Sequence, residues 1–160
     1  MSDPSAVAAF WDAYRATFPP EARPPATPPE AWYFCDNQAD ADELGDLVRQ
    51  GIKTATCSLL WFYEAEDERM PEPGDLSIIT DWDGRPLCII ETTEVTIRPY
   101  NQVDARFAYD EGEGDRSLAF WRAAHWRFFT RECAGIGRAP AEDMPLVCER
   151  FRVVYLPPIL

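Results

Sequence analysis

Lys53 is the only lysine in this chain; every other basic residue is an arginine. It lies in GIKTAT, residues 51–56. Arginine stays charged at any working pH, whereas a partly buried lysine amine can lose its proton and act as a base or nucleophile. In a regular strand Lys53, Ala55 and Cys57 share one face, and Thr54, Thr56 and Ser58 the other. Lys53 and Thr56 therefore converge only where the segment bends. The plain alternative is an exposed lysine at a helix C-terminus, where the dipole favours a cation. A second group is DEGEGD, residues 110–115, with four carboxylates in six positions. It reads as a solvated acidic loop, as acid–base machinery, or as a weak Mg²⁺ or Mn²⁺ site near Asp110, Glu111, Glu113 and Asp115. Its spacing is not that of a calcium-binding helix–loop–helix. Gly112 and Gly114 allow the backbone to turn sharply there.

Other side chains bear on the same chemistry. His125, the sole histidine, falls one helical turn after Trp121 and reads as a hydrogen-bonded core residue or as part of a cleft wall. Trp61, Phe62 and Tyr63 follow closely on GIKTAT, and flat rings beside a polar cleft suit stacking on a nucleobase. Of these, Trp61 is the candidate. Arg98, Arg116 and Arg122 are candidates for phosphate contact.

Several elements must position these residues. Residues 3–18 predict a helix capped by Asp3, with Pro4 at the first helical position. Its apolar face is Val7, Phe10, Trp11, Tyr14 and Phe18. Residues 19–31 hold six prolines and read as an extended connector. Residues 36–51 predict a second helix with Ala41, Leu44, Leu47 and Val48 buried and Gly51 as its stop. Strand character follows at 53–58. Residues 75–97 read as two strands around Asp83-Gly84, and 144–156 as a last long strand. Residues 117–133 predict a helix with Leu118, Trp121, His125 and Phe128 on one face. The order suits an α+β fold, a small mixed barrel with helices outside it.

Composition narrows the functions. At 160 residues the chain predicts one domain, and the formal net charge is −13. Such a surface opposes sequence-blind binding along a phosphate backbone, so no extended duplex DNA binding is expected. It leaves room for a cleft that takes one nucleotide or a short strand. Five widely spaced cysteines and one histidine predict reduced buried thiols and no zinc site. No apolar run reaches membrane-spanning length, and the first fifteen residues lack the pattern of a secretory signal. The expectation is a cytoplasmic protein without membrane contact.

Taken in order, G-x-K-x-x-T after a helix, a strand pair ending near IIETTEV, the DEGEGD segment and SLAFWRAAHWRFF resemble the ASCH domain family. Within it they look closest to the YhfF-like bacterial branch, over residues 32 to 155. The resemblance implies a PUA-like fold, a small β-barrel with flanking helices, in a domain of residues 32–160. Residues 1–31 would pack on it as a helix and connector. It also implies a cleft for a modified nucleoside or a short single-stranded RNA. Relatives in the family include an amidohydrolase acting on N4-acetylcytidine, with a Lys, a Thr and a Glu as its catalytic group, and a metal-assisted ribonuclease. By motif these three roles fall on Lys53, Thr56 and Glu111, with Glu113 as the substitute for Glu111. Thr54, Trp61 and Arg116 are the corresponding substrate-binding candidates, and no metal or cofactor is expected at the catalytic group. Three functions remain open: hydrolysis of an acylated nucleoside amide, metal-assisted cleavage of single-stranded RNA, and RNA binding without chemistry. One departure is Cys35 in YFCD, where this branch leads one to expect glycine.

Overall fold

A computed structural model describes residues 2–158. Five helices and five strands follow one another as α1 (Pro4–Arg15), β1 (Ala31–Trp32), α2 (Gln38–Arg49), β2 (Ala55–Leu59), α3 (Leu60–Glu66), β3 (Leu76–Thr80), β4 (Pro86–Pro99), α4 (Ala105–Glu111), α5 (Leu118–Gly135) and β5 (Pro145–Tyr155). The α+β class is as the sequence predicts. The strands hydrogen-bond in the order β1-β3-β4-β5-β2, a sheet with two edges. The sheet does not close on itself, so it stops short of the expected small β-barrel. Strand β1 spans only two residues and pairs in parallel with β3, too short a ladder to carry a closure. No helix among the described residues is long and apolar enough to cross a membrane.

The chain divides into two compact units. The first comprises residues Met1–Gly51, Asp75–Glu91 and Arg152–Leu160. Here Asp3 caps α1 by accepting a hydrogen bond from Ser5 N at 2.9 Å, with Pro4 behind it. Val7, Trp11 and Tyr14 pack on Ile78 of β3 and Ile89 of β4. The proline-rich connector is tied to α1: Trp11 Nε1 donates to Pro25 O at 3.0 Å, and Arg15 Nε to Pro24 O at 2.9 Å. Asn37 caps α2, whose buried stripe is Ala41, Leu44, Gly45 and Val48.

Cys35 sits just before that cap with φ +67°. An L-residue in this left-handed region is less stable than glycine by about 1–2 kcal/mol, which accounts for the glycine expected there. Glycine in turn costs folding entropy, about 0.5–1 kcal/mol. The net expectation is that Cys35→Gly raises the melting temperature, by about 2–4 °C for each kcal/mol gained in a domain of this size. Differential scanning calorimetry of the two proteins checks the sign.

The second unit comprises Ile52–Gly74 and Thr92–Phe151. In it β2 and β5 pair antiparallel from Ala55↔Arg150 to Leu59↔Leu146. Its core gathers Leu59, Phe107, Trp121, Phe129, Met144 and Leu146, among others. Two expectations change here. DEGEGD is not wholly a loop, because its first two residues close α4, a helix that Asp104 caps. The buried face of α5 is Trp121, His125, Phe129 and Cys133 rather than one through Phe128. These four follow a strict i, i+4 spacing, and Phe128 lies partly exposed beside them.

Candidate active site

Residues 52–54 are laced to the end of α4 by main-chain contacts. Thr54 N donates to Asp110 O at 2.8 Å, and Thr54 Oγ1 to the same oxygen at 3.3 Å. Gly112 ends α4 in the left-handed conformation, φ +76°, and a Cβ there would meet Ile52 O at 2.8 Å. Glycine is thus required twice over, for its backbone angle and for the close approach of the chain. This lacing carries Lys53 to Glu111, 58 residues away.

The pair is enclosed, with both side chains only 1% exposed and Lys53 Nζ 3.1 Å from Glu111 Oε1. The amine also donates to Glu111 O at 3.4 Å and lies 3.8 Å from Glu113 Oε1. The other oxygen of Glu111, Oε2, accepts from the Trp121 indole N–H and from the Cys57 thiol at 3.4 Å. His125 Nε2 is 3.3 Å from Oε2 and 3.7 Å from Glu113 Oε2. The Nδ1 of His125 is 2.9 Å from Trp121 O. A carbonyl only accepts, so Nδ1 carries a proton and Nε2 faces the carboxylates. The imidazole stacks on the Trp121 ring at 4.2 Å and 17°.

These contacts set the charges. Burial favours a neutral amine, but Glu113 and Glu111 outweigh it and hold the pKa of Lys53 above its ordinary value. Burial pushes Glu111 up; Lys53 and His125 overcome that and bring it down to about 2. Burial likewise lowers His125, and Glu111 and then Glu113 raise it on balance. The resting cluster is therefore a lysine ammonium and a carboxylate, with a histidine disposed to protonate.

Among the candidates, Lys53, Glu111 and Glu113 come together. Thr56 alternates with Cys57 along β2, so it points to the opposite face, where its ladder partner is Glu149. Thr54 binds the end of α4. Trp61 lies in α3 with the Arg138 guanidinium 4.2 Å from its ring centroid. Arg116 is held by Tyr109 O at 2.9 Å and Ile52 O at 3.4 Å, and its guanidinium lies 3.6 Å over the Tyr109 ring. Arg98 pairs with Asp104 at 3.6 Å, and the backbone oxygen of Arg122 accepts from Tyr100.

The acidic segment is divided in its duties. Asp110 pairs with Arg150 at 2.7 Å and Arg106 at 2.9 Å. Asp115 accepts from Ser117 N at 2.8 Å at the start of α5. Glu111 and Glu113 alone of the four turn to Lys53. Among the described residues, Cys57, Glu111 and His125 are the group that could hold a metal, with ligand atoms within 4.8 Å of one another. The Lys53 ammonium already supplies positive charge to that carboxylate.

Cys57 and Trp121 join the cluster without a reading from the sequence, whereas His125, read there as a core residue or part of a cleft wall, serves as both. Their signals were nonetheless in the sequence: Cys57 shares the strand face of Lys53, and Trp121 and His125 are spaced i, i+4 on one helix.

A family model described as the ASCH domain matches residues 30–155. A crystal structure of an ASCH domain from Lactobacillus crispatus JV V101 superposes with a TM-score of 0.87 at 42% identity, covering 94% of this chain and 95% of that one. A crystal structure of a protein from Enterococcus faecalis V583 gives a TM-score of 0.86 at 38% identity, covering 95% and 90%. No curated protein matches the chain.

Proposed function

The chain belongs to the ASCH domain family, and on that premise we propose that it recognises a nucleoside or short single-stranded RNA and hydrolyses an acylated nucleoside amide of the N4-acetylcytidine type. The observation that carries this reading is the enclosed Lys53–Glu111 pair beside the more exposed Glu113 and His125. A buried ion pair is weak as a stabilising device, since desolvation offsets most of its attraction. Three titratable groups, Lys53, Cys57 and His125, meeting at one carboxylate make sense as machinery for moving or stabilising charge.

In this reading the acyl carbonyl approaches the Lys53 ammonium. Water attacks the acyl carbon, and the ammonium stabilises the oxyanion that develops. Glu113, at 18% side-chain exposure, is the carboxylate open to that water and takes its proton. The proton passes to N4 as the C–N bond breaks, releasing a carboxylic acid and the free nucleoside. Glu111 holds Lys53 charged and in place. A nucleoside also suits the −13 charge better than a long RNA, because it brings no phosphates to be repelled.

A panel of acylated nucleosides, run beside an RNA-degradation assay with and without Mn²⁺, tests the reading. The expected outcome is release of acetate from N4-acetylcytidine, no RNA cleavage, and weak RNA affinity that falls further with salt. Inactivity across the panel with retained nucleoside binding would move the protein to the binding-only class. Mn²⁺-dependent RNA cleavage would make it a ribonuclease.

A further inference from the structure

Cys57 and Cys148 stand opposite each other in the β2–β5 ladder, which runs in unbroken register. The ladder's hydrogen bonding fixes what kind of pair they are. Phe151 N donates to Thr54 O at 3.1 Å, which marks 54/151 as a hydrogen-bonded position. Hydrogen-bonded and non-hydrogen-bonded positions alternate along an antiparallel ladder. Three steps on, 57/148 is non-hydrogen-bonded. At such positions Cα atoms approach to about 4.5 Å with side chains on one face. That lies at the near end of the ~4.4–6.8 Å that a disulfide spans. The two sulfurs are also close enough to influence each other: after burial and Glu111, Cys148 is what raises the Cys57 thiol most.

Cys148 is only 3% exposed, and solvent borders the pair on one side alone. Cys148 contributes to the wall of a surface crevice with Glu94, Arg98, Phe107 and Arg150. No other pair among the cysteines is placed opposite in a described ladder.

We propose that Cys57 and Cys148 are a reversible redox pair that closes to a cross-strand disulfide under a peroxide. The Cys148 sulfur attacks a peroxide oxygen, the O–O bond breaks, and a sulfenic acid and one water result, the water taking up the thiol proton. The Cys57 sulfur then attacks the sulfenic sulfur. An S–S bond forms, the S–O bond breaks, and the second water leaves with the Cys57 proton. Two thiols and one hydrogen peroxide thus give one disulfide and two waters. Burial holds Cys148 up at about 12 and Cys57 well above the ordinary thiol value. The reaction is consequently slow, and geometry rather than thiol acidity selects the partner. Closure removes the thiol hydrogen that Cys57 donates to Glu111, which places the Lys53–Glu111 centre under redox control. The disulfide itself does not depend on what that centre does.

The test treats the native full-length protein with hydrogen peroxide, caps remaining thiols by alkylation, and maps linked peptides by mass spectrometry. The expected product is a Cys57–Cys148 linked peptide as the dominant pair, restored to two thiols by dithiothreitol and absent from Cys148→Ser. The wild-type map stands alone if that variant does not fold. Thiols left unmodified, sulfinic acid at Cys148, or a dominant link to Cys35, Cys88 or Cys133 would each overturn the proposal. Loss of hydrolysis without the link would count against it too, whereas the link in a protein with no hydrolytic activity would leave it standing.

Discussion

Lys53→Arg is expected to lower turnover of N4-acetylcytidine by about 10²–10⁴-fold, the range a single positioned acid, base or oxyanion donor typically contributes. Arginine keeps the positive charge, so the substitution tests the position of the charge rather than its presence. Lys53 has no room for a longer, planar head: it is 1% exposed, between Glu111 at 3.1 Å and Glu113 at 3.8 Å. A guanidinium would have to shift at least one of these carboxylates. Substrate affinity should change less than turnover, because the lost interaction belongs chiefly to the transition state. Lys53→Met, which removes the charge altogether, should be at least as impaired. Steady-state kinetics on variants whose melting curves establish folding make the measurement. Wild-type rates in Lys53→Arg would remove lysine from the chemistry.

The second large effect is on stability. Removing one member of a buried ion pair leaves its partner uncompensated, at a cost of about 3–5 kcal/mol. Glu111→Ala should show that loss in chemical denaturation, and more severely than a surface change such as Glu64→Ala. Replacing both partners at once, Lys53→Met with Glu111→Leu, should recover much of the loss, since no charge is then left stranded. A double variant no more stable than Glu111→Ala would mean that His125 and Glu113, rather than the pair, dominate the balance.

The same cluster shapes the acid limb of stability. Glu111 has a folded pKa of about 2 against an ordinary 4.5. Its contribution is present above pH 4.5 and is lost as pH falls toward 2. His125 acts in the opposite sense. Its folded pKa is raised above 6.5, so its contribution is present below that value and fades as pH rises through the folded one. Both limbs should flatten in Glu111→Gln.

Much of this was legible from local chemistry. Asp3 begins α1 because its side chain supplies an acceptor to a free amide, with Pro4 at the first helical position, and the structure uses both. The Lys53 face of β2 was readable from strand alternation, which also put Thr56 on the other side. Two features were hidden. Helix α4 is one short stretch, ARFAYDE, too brief for periodicity to separate from a loop. Which glutamate would meet Lys53 depended on that helix, because its last turn aims Glu111 inward and sends Asp110 to two arginines. The open sheet was equally invisible, since β1 has two residues and no pattern of its own.

Enclosing three ionisable groups around one carboxylate has a consequence for how the sequence can change over generations. A surface lysine can become arginine through a neutral intermediate. Lys53 cannot, because every one-residue departure leaves Glu111 or Glu113 facing a void, a displaced charge or a crowded fork. Exchange at this position would demand coordinated replacement at Lys53 and at one or both glutamates, at least 58 residues further along the chain. A chain that otherwise writes its cations as arginine would thus be blocked from rewriting this one, and the lone lysine is the mark of that barrier.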